Sequence, residues 1–309
     1  MRLGIQIYFM KTTGLSILFV GITVLLSFSK PKKPIRDLEG MKKALKAGYS
    51  YIPSGRTVVD EDTVNCTGFF MMKEEVSNFS YREYLFDLKK NGKISEYQAA
   101  LPDTSQWNTP AFQLQKYVQY YFNHPAYRQY PLVNVSKQQA ENYCKWLTQV
   151  WRKNTGNESI VFRLPTRAEF IRAACGNDLQ RPYSWNSPYI RRNDGRYQCN
   201  FLTIGAGAIS RDSTGKLVVK SFPLDYLASG TQADFADLTA PVRSFWPNEY
   251  DLYNLNGNVA EMVSENELAV GGDWNSPGYD IRNQSTKKFT KPNPTVGFRP
   301  VMTFIETSR

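Results

Sequence analysis

Apolar residues recur at helical spacing after Ser77. Phe79, Tyr84, Leu85 and Leu88 follow one another at intervals of five, one and three residues, as on the buried face of an amphipathic helix. Ser77 precedes them, and its hydroxyl can accept a hydrogen bond from an unpaired amide of the first helical turn. The pattern therefore predicts a helix that begins just after Ser77.

Two further helices are predicted by capping boxes, in which Ser or Thr is followed three residues later by Gln or Glu. The first box is Ser136 with Gln139, and the second is Thr166 with Glu169. One apolar helical face follows the first box: Ala140, Tyr143, Cys144, Leu147, Val150 and Trp151. Gly176 should end the helix of the second box, because glycine is common just past a helix C-terminus.

Residues 91–130 are rich in aromatic side chains: Trp107, Tyr117, Tyr120, Tyr121, Phe122, Tyr127 and Tyr130. Such density could form a glycan-stacking face or a partner surface. Packing of a long insertion onto the domain is the simpler interpretation and the one we favour. Residues 205–233 lack clear periodicity and contain turn formers, so we expect a loop insertion or a hairpin there.

An apolar run from Thr12 to Phe28 follows Lys11 and ends among small residues. A short basic lead with an apolar core is typical of a secretory signal, which we assign to residues 1–29. An uncleaved inner-membrane anchor and a buried helix are the alternatives, and the basic linker that follows (residues 30–48) argues against export. Met10 would make a tidier start than Met1.

Composition indicates a globular protein of one large or two small domains: 309 residues, 41% hydrophobic and 21% charged. The net charge of +10 comes partly from the leader and linker. No nucleic-acid motif is present, and the bland interpretation is a solvated surface. The acidic pair Glu74-Glu75 and the acidic run of residues 60–62 are most simply interpreted as surface charge.

Residues 254–261 concentrate three Asn, one Gly and one Glu within eight positions. Asn and Glu offer hard oxygens, and Gly allows the backbone to turn its carbonyls toward one centre, which is what Ca²⁺ selects. Taken alone, the stretch favours a tight Asn/Gly turn over an ion site.

The neighbouring motifs change that balance. Thr239-Ala240-Pro241-Val242 lies upstream, and Gly271-Gly272-Asp273-Trp274 and Gly297-Phe298-Arg299 follow. The strand and turn at residues 69–79 and Arg163-Leu164-Pro165-Thr166 come earlier. In this order the chain resembles the formylglycine-generating enzyme, or sulfatase-modifying factor, family from about Tyr49 to Val301.

The resemblance implies an α+β domain over residues 49–303, with a short tail at 304–309. Its fold would be C-type-lectin-related, of the formylglycine-generating type, with little regular secondary structure. The family also implies two structural calcium sites. The matching residues are Asn254, Gly257, Val259 and Glu261 for one site, and Asn200, Phe201, Asp234 and Ala236 for the other.

The same resemblance argues against the family's chemistry. Its enzymes hold copper with two cysteines between Gly-Gly-Ser and Gly-Phe-Arg, and residues 273–295 contain no Cys. The iron-dependent branch needs several His, whereas His124 is the only one here. We therefore expect neither copper nor iron, and a structural role for His124.

The four cysteines, Cys66, Cys144, Cys175 and Cys199, are dispersed without a CxxC motif, so a zinc site is disfavoured. Buried thiols are the simplest interpretation. One or two disulfides remain open for an exported protein, with the pairing undetermined.

Residues 101–104, 120–127 and 130–136 also resemble the insertion of the gliding-motility and type IX secretion lipoproteins K and J of Bacteroidetes. This implies a non-catalytic protein of the periplasm or outer-membrane periphery that binds envelope or secretion-complex proteins. The alternatives are an enzyme with an unrecognised centre and a lectin-like module that binds a glycan or peptidoglycan. For the latter, Lys287, Lys288 and Phe289 could contact a ligand, or simply form an exposed loop.

Overall fold

The computed structural model describes residue 41 and residues 45–203, 209–219 and 238–305. The predicted leader, most of the basic linker, Asp234, Ala236 and the end of the tail lie outside the described residues. Within the described part, no helix combines the length and the apolar character needed to cross a membrane.

Short elements joined by long loops make up the fold, as expected for an α+β domain with little regular secondary structure. The helices are α1 (Asn78–Lys90), α2 (Ile94–Ala100), α3 (Gln115–Tyr120), α4 (Lys137–Thr155) and α5 (Arg167–Cys175), with 3₁₀ turns at Thr104–Asn108 and Pro125–Tyr127. The strands are β1 (Tyr49–Ile52), β2 (Gly55–Val59), β3 (Asp62–Cys66), β4 (Phe69–Met72), β5 (Ile160–Arg163), β6 (Ile209–Arg211), β7 (Leu217–Val219), β8 (Ala260–Met262), β9 (Leu268–Val270), β10 (Thr286–Lys288), β11 (Val296–Gly297) and β12 (Val301–Phe304).

All three predicted helix starts are confirmed. The Ser77 hydroxyl caps α1 by accepting from the Ser80 amide at 3.1 Å. In the capping box of α4, the Ser136 hydroxyl accepts from the Gln139 amide, and the Gln139 side chain accepts from the Ser136 amide. The capping box of α5 is formed in the same way, and there the Thr166 amide donates to the Glu169 carboxylate at 2.8 Å. These helices follow local signals, which is why the sequence predicts them.

A four-stranded sheet in the order β1-β4-β12-β5 divides the core. Side chains alternate between the faces of a strand, so Phe69 and Met71 of β4 lie on one side and Phe70 on the other. Phe70 joins the cluster packed by α1 and α4. Phe69 and Met71 join the cluster that contains Phe170 of α5. The sheet is thus covered by helices on both faces.

A second four-stranded sheet, β10-β9-β8-β11, carries the motifs near the C-terminus. Its β8–β11 pair is parallel, with Val296 opposite Ala260. The β8–β9 pair is antiparallel, with Glu261 opposite Val270, so the loop before β8 and the loop after β9 lie at the same end of this sheet. Residues 205–233 include a β6–β7 hairpin, one of the two predicted alternatives.

The aromatic insertion packs inward, as the simpler interpretation predicted. Trp107 has no exposed surface, and Tyr117 and Tyr121 are buried beside it. These rings join Val259 and Trp274 in a third core cluster. Residues 91–130 thus cover the loops that carry the C-terminal motifs.

Candidate functional site

The Asn-rich loop before β8 turns sharply, and its asparagine side chains pin the surrounding loops. Asn254, Gly257 and Asn258 all adopt positive φ. A Cβ at Gly257 would overlap the carbonyl oxygen of Asn200, so glycine is required there. The Asn256 amide donates to the Ile281 carbonyl at 2.7 Å. The tight turn anticipated from these residues is therefore present.

Glu75 lies at the centre of this arrangement, with 2% of its surface exposed. Its two carboxylate oxygens accept hydrogen bonds from Asn258 at 2.8 Å and from Asn254 at 3.2 Å. Burial raises the pKa of Glu75 to about 8, although Arg299 and Asn258 oppose the shift. The assignment of Glu75 to surface charge is wrong. Its neighbour Glu74 is partly exposed and pairs with Arg243.

A buried ion pair lies next to Glu75. Arg299 donates to both carboxylate oxygens of Glu261 at 2.7–3.1 Å. The same guanidinium donates to the carbonyls of Lys73 and Tyr253 at 2.6 Å. The ion pair thereby links the second sheet to the end of β4, and one guanidinium faces the two carboxylates of Glu75 and Glu261.

The first predicted calcium site is only partly free to hold a cation. The Asn254 amide nitrogen donates to Glu75 and to the carbonyls of Pro241 and Val242, which fixes the amide orientation. Its oxygen is then buried without a hydrogen-bond donor, as a cation ligand would be. The Glu261 carboxylate, by contrast, is engaged by Arg299. Calcium at this site stays a prediction.

The second predicted site shows a similar free oxygen. The Asn200 amide donates to the Leu238 carbonyl at 2.5 Å, and the Asn200 side-chain oxygen is buried without a partner. Phe201 is buried next in the chain. Asp234 and Ala236 lie outside the described residues. Among the residues that are described, no three His, Cys, Asp or Glu side chains cluster as a metal site.

Residues 273–295 are where the resemblance places the family's copper site. Two side chains of this segment, Asp273 and Lys287, form an ion pair. Asp273 is completely buried, and Lys287 donates to its carboxylate and to the Thr295 hydroxyl, each at 2.6 Å. Lys287 is therefore not a free ligand contact. Phe289 is 8% exposed and belongs to the main core, so the suggestion that it forms part of a ligand-binding surface is wrong.

Trp274, next to Asp273, is covered by the aromatic insertion. It has no exposed surface, and its ring lies 5.9 Å from that of Phe112. Trp107 and Tyr117 belong to the same cluster. The start of residues 273–295 is thus packed under residues 91–130 rather than lining an open cleft.

All four cysteines are buried and free, and none forms a disulfide. Burial raises the pKa of each thiol, most strongly at Cys144 and Cys199. A raised pKa disfavours the thiolate that would attack a substrate or bind a metal. His124 is an exposed residue whose ring nitrogen accepts from the Ala126 amide, which agrees with a structural role.

A separate groove of about 670 Å³ lies between residues 181–198 and residues 246–249. Sequence reasoning missed it, because its aromatic and arginine side chains come from loops without periodicity.

A family model described as the sulfatase-modifying factor enzyme 1-like domain matches residues 37–304. The chain belongs to this family. Three curated relatives are all named formylglycine-generating enzyme. The protein of Thermomonospora curvata is 29% identical over 54% of this chain and 41% of its own length. That of Streptomyces coelicolor is 31% identical over 48% and 34%. That of Mus musculus is 25% identical over 79% and 56%.

The chain spans about half or less of these relatives' own length. Two solved structures share the fold: PvdO from Pseudomonas aeruginosa and CarF. PvdO has a TM-score of 0.50 and 20% identity, covering 82% of this chain and 93% of that one. CarF has a TM-score of 0.51 and 18% identity, covering 84% and 98%. At these identities the likeness concerns the fold alone, and the predicted fold of the family is confirmed.

Proposed function

We propose that this chain is a non-catalytic cell-envelope protein whose sulfatase-modifying-factor-like domain binds partner proteins. The observation that carries the proposal is the state of residues 273–295. They contain no cysteine, Asp273 is paired with Lys287, and Trp274 is buried under the insertion. The four cysteines elsewhere are buried with raised pKa values, which argues against a relocated thiol centre.

A relation to gliding motility and type IX secretion is the finer part of the proposal. It is supported by the sequence of the aromatic insertion and by Ala260, which follows Gly257-Asn258-Val259 where the enzymes of the family have Trp. Export to the periplasm or outer-membrane periphery follows from the leader-like residues 1–29. We also propose structural calcium, supported by the unpaired oxygens of Asn254 and Asn200.

One observation favours a second candidate, an enzyme of the wider family: the curated relatives are named formylglycine-generating enzymes. Such an enzyme would need a centre other than the copper-binding cysteine pair. The buried Glu75, whose pKa is raised to about 8 by burial, lies beside the first predicted calcium site and accepts a hydrogen bond from Asn254.

An activity assay tests whether this chain converts the cysteine of a sulfatase peptide to formylglycine, the activity that its relatives' names imply. The purified chain is incubated with Cu(I), oxygen and a cysteine-containing sulfatase peptide, and the peptide mass is followed. The formylglycine-generating enzyme of Streptomyces coelicolor serves as the positive control. We expect no conversion by this chain. Turnover above the level of copper alone would overturn the non-catalytic assignment.

A pull-down tests the partner-binding part. Full-length tagged protein is expressed in its native cells and purified from solubilised envelope membranes, with a tagged unrelated exported protein as the control. Specific co-purification of secretion-complex subunits is expected. If those subunits are absent while peptidoglycan fragments or glycans are retained, the scaffold role is replaced by a lectin-like one.

A further inference from the structure

The groove between residues 181–198 and residues 246–249 has the volume and chemistry of a small-ligand site. Its volume of about 670 Å³ lies within the range of about 300–1,000 Å³ that is usual for such sites. Two indoles and three guanidinium groups contribute to its walls. These groups and a neighbouring carboxylate belong to Arg181, Trp185, Arg191, Arg192, Trp246 and Glu249.

Arg192 is held in place without being neutralised by a hydrogen bond. Its guanidinium carbon lies 4.1 Å from the centre of the Trp246 ring, a cation–π contact that fixes its plane. Its ion pair with Asp194 is long, at 3.7 Å. Arg196, outside the groove, instead donates to Asp194 at 2.9 Å. Among the described residues, no acceptor is hydrogen-bonded to the Arg192 side chain, so its donors are available to a ligand.

The remaining charges of the groove are largely engaged with each other. Arg181 is 9% exposed, and both of its terminal nitrogens donate to Glu249 at 3.1 Å. Arg191 stacks on Tyr197 with a separation of 4.3 Å. The groove is lined by three arginines and by two acids, Asp194 and Glu249, so one excess positive charge remains in it. A ligand with a single carboxylate would match it, because arginine pairs with carboxylates through two parallel hydrogen bonds.

Trp185 offers a rigid apolar surface along the same groove. Its ring is stacked on Tyr183 at 4.7 Å with an interplanar angle of 7°. Its indole nitrogen donates to the Tyr189 carbonyl at 2.9 Å, which fixes the ring further. Indole rings combine an apolar face with low conformational entropy, and the apolar face of a pyranose can pack against them. The amides of Asn186, Asn193 and Gln198 add partners for hydroxyl groups.

We propose that this groove binds a saccharide carrying a carboxylate, with the carboxylate at Arg192 and a sugar ring against Trp185. No residue of the segment 273–295 lines the groove, and the groove uses none of the predicted calcium ligands. Its cell-envelope setting rests on the proposed function, but binding itself is decided on purified protein. If the groove does not bind the saccharide, the proposed partner-binding role still stands, because the activity assay and the pull-down do not depend on these side chains.

The test is isothermal titration of the full chain with a disaccharide of one galacturonic acid linked to one galactose and, separately, with its methyl ester. The two ligands share ring structure and linkage and differ in charge. We expect the acid to bind about tenfold more tightly than the ester, the usual scale for one charge-assisted contact. Equal binding of both, or no binding of either, would refute the proposal.

Two arginine variants localise the contact. Arg192→Gln should weaken binding of the acid about tenfold while leaving ester binding within about twofold. Arg211→Gln is the control, because Arg211 is an exposed arginine at the end of β6 and does not line the groove. Its affinity should stay within about twofold of the parent. An equal loss in both variants would indicate general charge attraction and overturn the assignment.

A third variant tests the stacking surface. Trp185→Leu should weaken acid and ester alike, because both ligands share the sugar ring. Circular dichroism and the melting temperature show whether each variant is folded. If Arg192→Gln proves unfolded, Arg192→Lys keeps the charge but removes the paired donors, and it should also weaken the acid selectively. Unchanged selectivity in a folded Arg192→Lys variant would then count against the proposal.

Discussion

Breaking the buried ion pair between Arg299 and Glu261 should strongly lower the stability of the fold, and Arg299→Met tests this. Arg299 has no exposed surface and Glu261 is 1% exposed, so methionine would leave an uncompensated carboxylate in the core. Loss of one partner of a buried pair costs about 3–5 kcal/mol. The carbonyls of Met72, Lys73 and Tyr253 would also lose donors. We therefore expect a loss of about 4 kcal/mol in the free energy of unfolding.

Equilibrium unfolding in urea, followed by tryptophan fluorescence with a chelator present, measures this loss. Arg196→Met is the matched control, because the Arg196 side chain is 63% exposed and should change stability by less than about 0.5 kcal/mol. The double variant Glu261→Met/Arg299→Met removes the stranded charge, so it should recover about 1–3 kcal/mol relative to Arg299→Met. A loss below about 1 kcal/mol in Arg299→Met, or a double variant less stable than the single, would refute the reasoning.

Three further predictions use stability as the readout. Burial raises the pKa of Glu169, but hydrogen bonds from Arg163 and Thr166 outweigh it and leave the pKa below its ordinary value of 4.5. Because the pKa is depressed in the folded state, ionised Glu169 stabilises the fold at pH values above the pKa that this group has in the unfolded chain. Glu169→Gln should therefore lower the free energy of unfolding by about 1–2 kcal/mol near pH 7. In urea titrations this difference should shrink as the pH falls below 4.5, and a constant difference would contradict it. Gly257→Ala should lower the melting temperature by several degrees, because its φ is +74° and its Cβ would overlap the Asn200 carbonyl; an unchanged melting curve would show that the turn relaxes. Calcium should raise the melting temperature and a chelator lower it, whereas identical curves would remove both proposed calcium sites.

Local signals account for what the sequence predicted correctly. The Ser77 cap and the two capping boxes lie within three or four residues of the amides they satisfy, so the helix starts can be found without knowledge of the fold. The order of the motifs identifies the family, because six short motifs in a fixed order are more specific than any one of them. The alternative between a surface and a core for the aromatic insertion was settled only by the burial of Trp107.

Long-range contacts account for what sequence reasoning missed. Glu75 is adjacent to the partly exposed Glu74, and nothing in the local pattern distinguishes the two. Its partners, Asn254 and Asn258, lie 179 and 183 residues away along the chain. A signal was nevertheless present, because Glu75 is the acidic residue that ends the strand in the family's N-terminal motif. A carboxylate at a fixed place in such a motif should have been weighed as a buried hydrogen-bond acceptor.

The pairing of Asp273 and the packing of the insertion both bear on whether the start of residues 273–295 can form an open catalytic site. A buried carboxylate is tolerated only with a partner, and Lys287 supplies that partner from β10. Trp274 can be buried because Trp107 and Phe112 of the insertion cover it. A substrate peptide would have to displace these rings to reach Asp273, and it would meet an ion pair rather than a thiol. The contacts that bury Trp274 also hold the insertion in place. A closed, packed segment suits the proposed binding role better than it suits an open catalytic cleft.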